Sequence, residues 1–197
     1  LLVVSDEIHC DMALFGNKHI PFASVSEKAA SNSITFQAPT KTFNIAGIIT
    51  SHSIIPNPEI RGEFYRWVNT NELAGPHIFA PIATIAAFRY GEQWRKQMLA
   101  YVEDNIRFVE KYCAEHIPGI RPLRPQASFL VWLDCRSLGL THDQLLDLFI
   151  DKAHLALNDG EMFGPGGEGF MRLNVGCPRS IIERGLNQLS RAVTHLS

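Results

Sequence analysis

The chain has 197 residues, of which 46% are hydrophobic and 19% are charged, as in a globular protein with a sizeable core. Lys and Arg number 18 and Asp and Glu number 20, which gives a formal net charge of −2. This balance does not indicate a nucleic acid or an anionic membrane surface as a partner. No apolar run approaches the roughly 18 residues that span a bilayer, and no segment has the pattern of a signal peptide.

The four cysteines, at positions 10, 113, 135 and 177, are too far apart in sequence to form a CxxC pair. The spacing is neither a disulfide framework nor a zinc-finger pattern. We therefore expect free thiols in a reducing compartment, and a cytoplasmic protein.

The chain opens on an apolar run, residues 1–4, which ends in Ser5, Asp6 and Glu7. This pattern predicts a buried parallel strand that delivers acidic side chains at its carboxyl end, where open α/β sheets bind ligands. Because a buried parallel strand needs neighbours on both sides, we expect that partner strands precede Leu1 in a longer protein.

Loop and a short helix are expected over residues 11–32. A second strand is predicted at residues 33–36, stopped by Pro39, and an extended stretch at residues 47–51 and 54–55. Helices are predicted at residues 59–72, 77–90 and 92–116. The longest helix has one apolar face, formed by Trp94, Met98, Val102, Ile106, Val109 and Cys113.

The last part of the chain predicts a second, smaller α/β domain. Strands are expected at residues 129–133, 155–157 and 170–175, with a mobile glycine-rich loop at 158–169. Thr141 and Gln144 have the spacing of a capping box that opens a helix to about residue 151. A final helix after Pro178 has an apolar face of Ile182, Leu186, Leu189 and Val193. The predicted division is 1–90, a connecting helix at 91–118, and 119–197.

Lys41 is the first candidate for chemistry, although most lysines are solvated surface residues. It lies between Thr40 and Thr42, with apolar segments on both sides. Partial desolvation there would favour the neutral, nucleophilic amine that a Schiff-base lysine needs.

Asp6 is the second candidate. An acid at the end of a strand often caps the next turn, but it can also keep a pyridine nitrogen protonated. His9, three residues further on, would face the same side in a helical turn. Glu7, His9, Cys10 and Asp11 also suggest a metal cluster, but the chain lacks a second set of ligands at matching spacing, so we predict no metal.

Arg172 follows the glycine-rich loop in the middle of a predicted strand. An arginine in a strand usually faces water. Here it is also a candidate for bidentate binding of a carboxylate in a cleft.

Two motifs together resemble the fold-type I pyridoxal-phosphate enzymes. They are the runs Ser5-Asp6-Glu7-Ile8-His9-Cys10-Asp11 and Ala38-Pro39-Thr40-Lys41-Thr42-Phe43-Asn44-Ile45-Ala46-Gly47. With the segment from Leu157 to Arg179, they are most similar to the cystathionine β-lyase-like branch of the class I/II aminotransferases. The similarity runs through the whole chain and corresponds to about the C-terminal half of a family member.

The resemblance implies an α/β fold, the C-terminal part of the large domain of a fold-type I transferase followed by a small C-terminal domain. It implies pyridoxal 5'-phosphate as cofactor, with Lys41 as the Schiff-base lysine and Asp6 as the partner of the ring nitrogen. Thr40 would contact the phosphate, His9 would lie near the 3-oxygen, and Arg172 would bind the substrate α-carboxylate. Ile49 stands where many aminotransferases have a phosphate-binding arginine, and this departure favours the lyases.

The implied activity is cleavage of a sulfur amino acid to a thiol, pyruvate and ammonia, in a homodimer with a small amino-acid substrate. The predicted helices at 59–72 and 77–90, with Trp67 and Phe79, are candidates for the dimer contact. Three alternatives stay open: an aminotransferase, an inactive fragment that kept the fold, and a metal-binding module.

Overall fold

The computed structural model describes residues 1–196, and the chain divides into two compact units, Leu1–Met98 and Leu99–Ser197. In chain order its elements are β1 (Val3–Asp6), a 3₁₀ turn (Cys10–Met12), a second 3₁₀ turn (Phe22–Ser24), α1 (Glu27–Ser31), β2 (Ser33–Gln37), β3 (His52–Ile54), α2 (Pro58–Thr70), α3 (Ala80–Tyr90), α4 (Glu92–His116), β4 (Arg121–Leu123), β5 (Leu130–Asp134), a third 3₁₀ turn (Arg136–Leu138), α5 (His142–Asp147), a π-helical turn (Leu148–Lys152), β6 (Asn158–Asp159), a fourth 3₁₀ turn (Glu161–Phe163), β7 (Phe170–Asn174) and α6 (Arg179–Thr194). The boundary between the units falls within α4, and the predicted three-part division stays a prediction.

The N-terminal unit is built around a three-stranded sheet in the order β1-β2-β3. β1 and β2 are parallel, as predicted, with Asp6 opposite Phe36, and β3 is antiparallel to β2. The predicted burial of β1 is wrong: Val4 is 62% exposed. The reason is that β1 pairs with β2 on one side, and no other strand within residues 1–196 pairs with it.

The C-terminal unit contains an antiparallel sheet in the order β4-β5-β7-β6. Along β5, side chains from Leu130 to Leu133 alternate between half-exposed and buried, as expected for a sheet that faces a core on one side, whereas in β7 the neighbours Phe170 and Met171 are both buried. The buried side chains of the unit come from these strands and from the apolar faces predicted for α4 and α6, and they include Val102, Ile106, Val109, Cys113, Val131, Leu133, Met171, Ile182, Leu186 and Leu189.

Helix starts follow the local sequence closely. The capping box that opens α5 is confirmed, since the hydroxyl of Thr141 accepts from the backbone of Gln144 and the Gln144 side chain accepts from the backbone of Thr141. α2 begins with Pro58 at its first turn, and the Asn57 side chain accepts from the backbone N–H of Glu59 and Ile60. These caps satisfy backbone donors that have no partner inside the helix.

Two strand predictions are displaced. Residues 155–157 are not a strand, because a tight turn from the N–H of Leu157 to the carbonyl of Leu155 prevents regular pairing. Pairing with β7 starts instead at Asn158, opposite Arg172. The extended stretch predicted from residue 47 begins with a turn, and the strand β3 starts only at His52.

A buried asparagine fixes the end of β7 against α4. Asn105 is fully buried, and its amide donates to the carbonyls of Val175 and Cys177 at 2.9 and 3.1 Å. Its carbonyl oxygen accepts from Nε of Arg179 at 2.8 Å. All its polar atoms are satisfied, which is what burial of an amide requires.

A buried carboxylate organises the turn after β1. Glu7 is 6% exposed and accepts hydrogen bonds from Ser5 Oγ, His19 Nε2, the backbone N–H of Phe22 and Gln37 Nε2 at 2.8 to 3.3 Å. Burial alone would raise the pKa of Glu7, but these hydrogen bonds outweigh it and lower the pKa below the usual 4.5. Glu7 therefore ties β1, β2 and the intervening loop together as a charged group.

In the part of the chain that the structure describes, no helix combines the length and the apolar character needed to cross a membrane.

We expect Glu7→Gln to lower the free energy of unfolding by roughly 1–3 kcal/mol near neutral pH, because an amide cannot accept all four donors. Since the fold lowers the pKa of Glu7, its carboxylate stabilises the protein above pH 4.5, and this contribution is lost as the pH falls through the lowered pKa. The difference between parent and variant should therefore shrink below pH 4.5. Urea denaturation over a pH series measures it.

Glu63→Gln is the matched control, because that carboxylate is exposed and paired with Arg66 on the surface of α2. Its effect should stay within about 0.5 kcal/mol at every pH. Equal stability of parent and Glu7→Gln near neutral pH would contradict the role given to Glu7.

Candidate active site

Two of the predicted site residues lie at the carboxyl ends of parallel strands. Asp6 is the last residue of β1, and Lys41 follows the end of β2 by four residues. Since β1 and β2 are parallel and paired in register, both ends meet at one edge of the sheet. This is the edge at which ligands bind in open α/β sheets.

His9 joins these two charged residues into a cluster. It is half-buried, and it interacts electrostatically with both Lys41 and Asp6. Burial lowers the pKa of His9, the positive charge of Lys41 lowers it further, and Asp6 partly opposes them. His9 is therefore held toward its neutral form, which can both donate and accept a hydrogen bond.

The predicted desolvation of Lys41 is wrong, because its side chain is exposed. The two neighbours occupy the buried positions instead: Thr40 is 8% exposed and Thr42 is fully buried. The turn is closed by hydrogen bonds from Phe43 N to the carbonyl of Pro39 and from Ile45 N to the carbonyl of Thr40, at 2.9 and 3.0 Å. The amine is thus presented on a defined turn and is accessible to a carbonyl compound.

An aromatic anchor holds this turn, and nothing in the sequence pattern around Lys41 indicated it. The Phe43 ring packs edge-on against Phe88 and is stacked with Trp94, at centroid distances of 5.6 and 6.1 Å. A Cβ at Gly91 would lie 2.5 Å from the Phe43 ring, so the break between α3 and α4 needs glycine. The turn that carries Lys41 is therefore held in place by Phe43, two residues after the lysine.

The carboxylate of Asp6 is exposed, and one of its oxygens also accepts a hydrogen bond from the following turn. Its Oδ1 accepts from the N–H of Ile8 at 3.2 Å, which caps the turn as an acid at a strand end often does. The following loop is held by Arg95, whose guanidinium donates to the carbonyl of Asp11 at 2.9 Å. The carboxylate of Asp6 thus has a defined position and stays accessible.

The alternative of a metal site finds no support in the geometry. No group of three or more His, Cys, Asp or Glu side chains among residues 1–196 is arranged to hold a metal ion. Burial, together with the negative charges of Asp11 and Glu7, raises the pKa of Cys10 to about 11. Its thiol is therefore held in the protonated, weakly nucleophilic form.

Arg172 lies in the other compact unit, on the half-exposed face of its sheet. It is directly opposite Trp132 on β5 and Asn158 on β6, so the three side chains form a row across the strands. Its Nη2 donates to Asn158 Oδ1 at 2.8 Å, and its guanidinium lies 4.5 Å from the centre of the Phe163 ring. Nε of Arg172 is buried and has no hydrogen-bond partner within residues 1–196.

The glycine-rich segment before Arg172 is more regular than the predicted loop. It contains β6 and the 3₁₀ turn Glu161–Phe163, and hydrogen bonds join Gly160 N to the carbonyl of Phe170 and Gly167 N to the carbonyl of Gly164. A Cβ at Gly160 or at Gly167 would meet the other residue's carbonyl oxygen at 2.1 Å. The loop is therefore closed at its base by two glycines in contact.

Comparison with known proteins gives consistent matches along the chain. The family model for aminotransferase class I and II matches residues 1–189. Cystathionine beta-lyase PatB of Bacillus subtilis (strain 168) is 41% identical over 192 residues, 98% of this chain and 50% of PatB. Protein MalY of Escherichia coli (strain K12) is 32% identical over 192 residues, 97% of this chain and 48% of MalY.

The crystal structure of cystalysin from Treponema denticola, which contains pyridoxal 5'-phosphate, matches with a TM-score of 0.96 at 33% identity. The match covers 100% of this chain and 50% of cystalysin, and it confirms the predicted α/β fold of type I. The chain spans about half the length of the curated relatives it matches. Because the family model extends over almost the whole chain, the chain belongs to the class I and II aminotransferase family.

Proposed function

We propose that the protein containing this chain is a pyridoxal-phosphate-dependent carbon–sulfur β-lyase. A sulfur amino acid such as cystathionine and one water would give a thiol, pyruvate and ammonia. The observation that carries the proposal is the cluster of Asp6, His9 and Lys41 at the carboxyl ends of two parallel strands. The 41% identity to a cystathionine beta-lyase supports the choice of reaction.

The residues present fit pyridoxal phosphate in their chemistry. The exposed amine of Lys41 is accessible to an aldehyde, and the exposed carboxylate of Asp6 can keep a pyridine nitrogen protonated. His9, whose pKa is lowered so that the neutral form is favoured, would lie near the 3-oxygen, and Thr40 would contact the phosphate. The cofactor, when bound, supplies an electron sink for the negative charge that develops at the substrate Cα.

The chain's own residues would position the substrate and move its proton. Arg172 would bind the α-carboxylate, because its planar guanidinium suits a carboxylate and its Nε has no hydrogen-bond partner within residues 1–196. Lys41 would take the proton from Cα as the general base. Asp6 would keep its negative charge against the ring nitrogen while the thiolate leaves from Cβ.

An aminotransferase is the second candidate, and the name of the family supports it. The same residues would serve both reactions up to removal of the Cα proton. The difference lies in whether Cβ loses a thiolate or the amino group is passed to a keto acid.

We further propose a homodimer in the cytoplasm. Trp67 on α2 and Phe79 and Ile82 at the start of α3 are 60%, 61% and 68% exposed, an apolar surface of the kind that subunit contacts cover. The four cysteines are free, which suits a reducing compartment. Recovery of the protein in the membrane or secreted fraction of fractionated cells would argue against this location.

Borohydride reduction of the whole protein in the presence of pyridoxal phosphate should attach the cofactor to the peptide that carries Lys41. Peptide mass spectrometry measures it. Lys41→Ala should abolish the labelling and lower turnover at least about 100-fold. Lys28→Ala, which removes another exposed lysine, should change neither. Labelling that persists in Lys41→Ala would remove the proposed role, and no labelling of the parent would favour an inactive protein.

Incubation of the whole protein with cystathionine, with and without an added keto acid, distinguishes the two reactions. For a lyase we expect pyruvate to accumulate at the same rate in both samples, because water completes the reaction. Strict dependence of turnover on the keto acid would show an aminotransferase and refute the lyase.

Light scattering should give twice the chain mass for the whole protein. A Trp67→Ser and Phe79→Ser double variant should shift the mass toward the monomer, because it removes two large apolar side chains from the exposed surface. Ile20→Ser is the control, because Ile20 is also an exposed apolar residue of the N-terminal unit, at 72% exposure. This change should leave the mass as in the parent. A monomeric parent would contradict the homodimer.

A further inference from the structure

Two side chains hold the guanidinium of Arg172 from different directions. Asn158 Oδ1 accepts from Nη2 at 2.8 Å, and the Phe163 ring lies 4.5 Å from the guanidinium carbon. A hydrogen bond fixes the guanidinium in its plane, and an aromatic face supports the plane from one side. Of the five N–H donors of an arginine, Asn158 takes one, and the buried Nε has no partner within residues 1–196.

The loop that supplies Phe163 is fixed before any ligand arrives. Its base is closed by the contact between Gly160 and Gly167. At the start of α5, His142 reaches two carboxylates, with Nε2 3.4 Å from Asp159 at the end of β6 and Nδ1 3.0 Å from Glu161 in the loop. The position of Phe163 is thus set by contacts that do not involve Arg172.

The Phe163 ring is also supported from the sheet. It packs edge-on against Trp132 at 5.6 Å, and Trp132 is stacked on Phe170 at 5.5 Å. Arg136 covers the far end, 4.8 Å from the Phe170 ring. A displacement of Phe163 would therefore disturb a cluster of three rings.

We propose that Asn158 and Phe163 are positioning residues, which fix the guanidinium plane of Arg172 so that its remaining donors meet a carboxylate in a ready orientation. This proposal deepens the proposed function, on which it rests for the identity of the ligand as an amino acid. Preorganisation of this kind strengthens binding because the side chain has less rotamer freedom to lose when the ligand binds.

The test compares variants of the whole protein for binding of an amino acid, by titration followed at the Nε–H nuclear magnetic resonance signal of Arg172. Arg172→Lys, which removes the signal, assigns it. Phe163→Leu keeps an apolar side chain and removes the aromatic face, so we expect the dissociation constant to rise roughly five- to tenfold. Asn158→Leu should act in the same direction, and Phe163→Tyr, which keeps the ring, should bind like the parent.

Phe108→Leu is the matched control, because the guanidinium of Arg179 lies over the Phe108 ring at the same 4.5 Å. It should leave the dissociation constant and the Arg172 signal unchanged. In Phe163→Leu the signal should also move in the absence of ligand, because the shielding by the ring is lost. In steady-state turnover the variant should raise KM, with kcat within about twofold.

The outcomes separate this proposal from the proposed function. If the parent binds an amino acid more tightly than Phe163→Leu but turns none over, the positioning role stands and the lyase activity fails. If the dissociation constant of Phe163→Leu equals that of the parent, or the Arg172 signal does not move, the positioning role is refuted whatever the turnover.

Discussion

The parallel pairing of β1 with β2 is the constraint on which the candidate site depends. It pairs residues 30 positions apart in sequence, such as Asp6 and Phe36, and so brings the carboxyl ends of both strands to the same edge of the sheet. A buried charge reinforces it, since Glu7 gathers donors from β1, β2 and the loop between them. A group that accepts four hydrogen bonds fixes position better than apolar contact does, because each bond specifies a direction.

Around Lys41, the charged groups are exposed and the neighbouring side chains are packed into the protein. The amine of Lys41 is exposed, while Thr42 is buried and Phe43 packs against Phe88, so that these two side chains hold the turn. This end of the sheet carries one positive and one negative side chain, Lys41 and Asp6, and His9 interacts electrostatically with both. When a ligand binds, a group on a rigid turn loses less conformational entropy than a group on a flexible segment.

The sequence predicted the elements that follow from local rules, and missed the contacts that join distant segments. The capping box at Thr141 and most of the apolar faces of α4 and α6 were predicted because each depends on residues a few positions apart, although Trp94 is 44% exposed and Val193 is only half-buried. The burial of Lys41 was wrong, since its apolar neighbours in sequence do not enclose it in space. The anchoring of Phe43 by Phe88 and Trp94, and of Arg172 by Phe163, depends on tertiary contacts that residue spacing along the sequence does not reveal.

The contact of Gly160 with Gly167 has a consequence for how the family can diversify. Because neither position can accept a Cβ, the two ends of the loop are fixed while the six residues between them are mostly exposed. Apart from Glu161 and Phe163, which make the contacts described above, these residues form an exchangeable tip on a constant base. The side chain at Met162, 64% exposed and adjacent to Phe163, can therefore vary in size and polarity with little strain on the strand that carries Arg172.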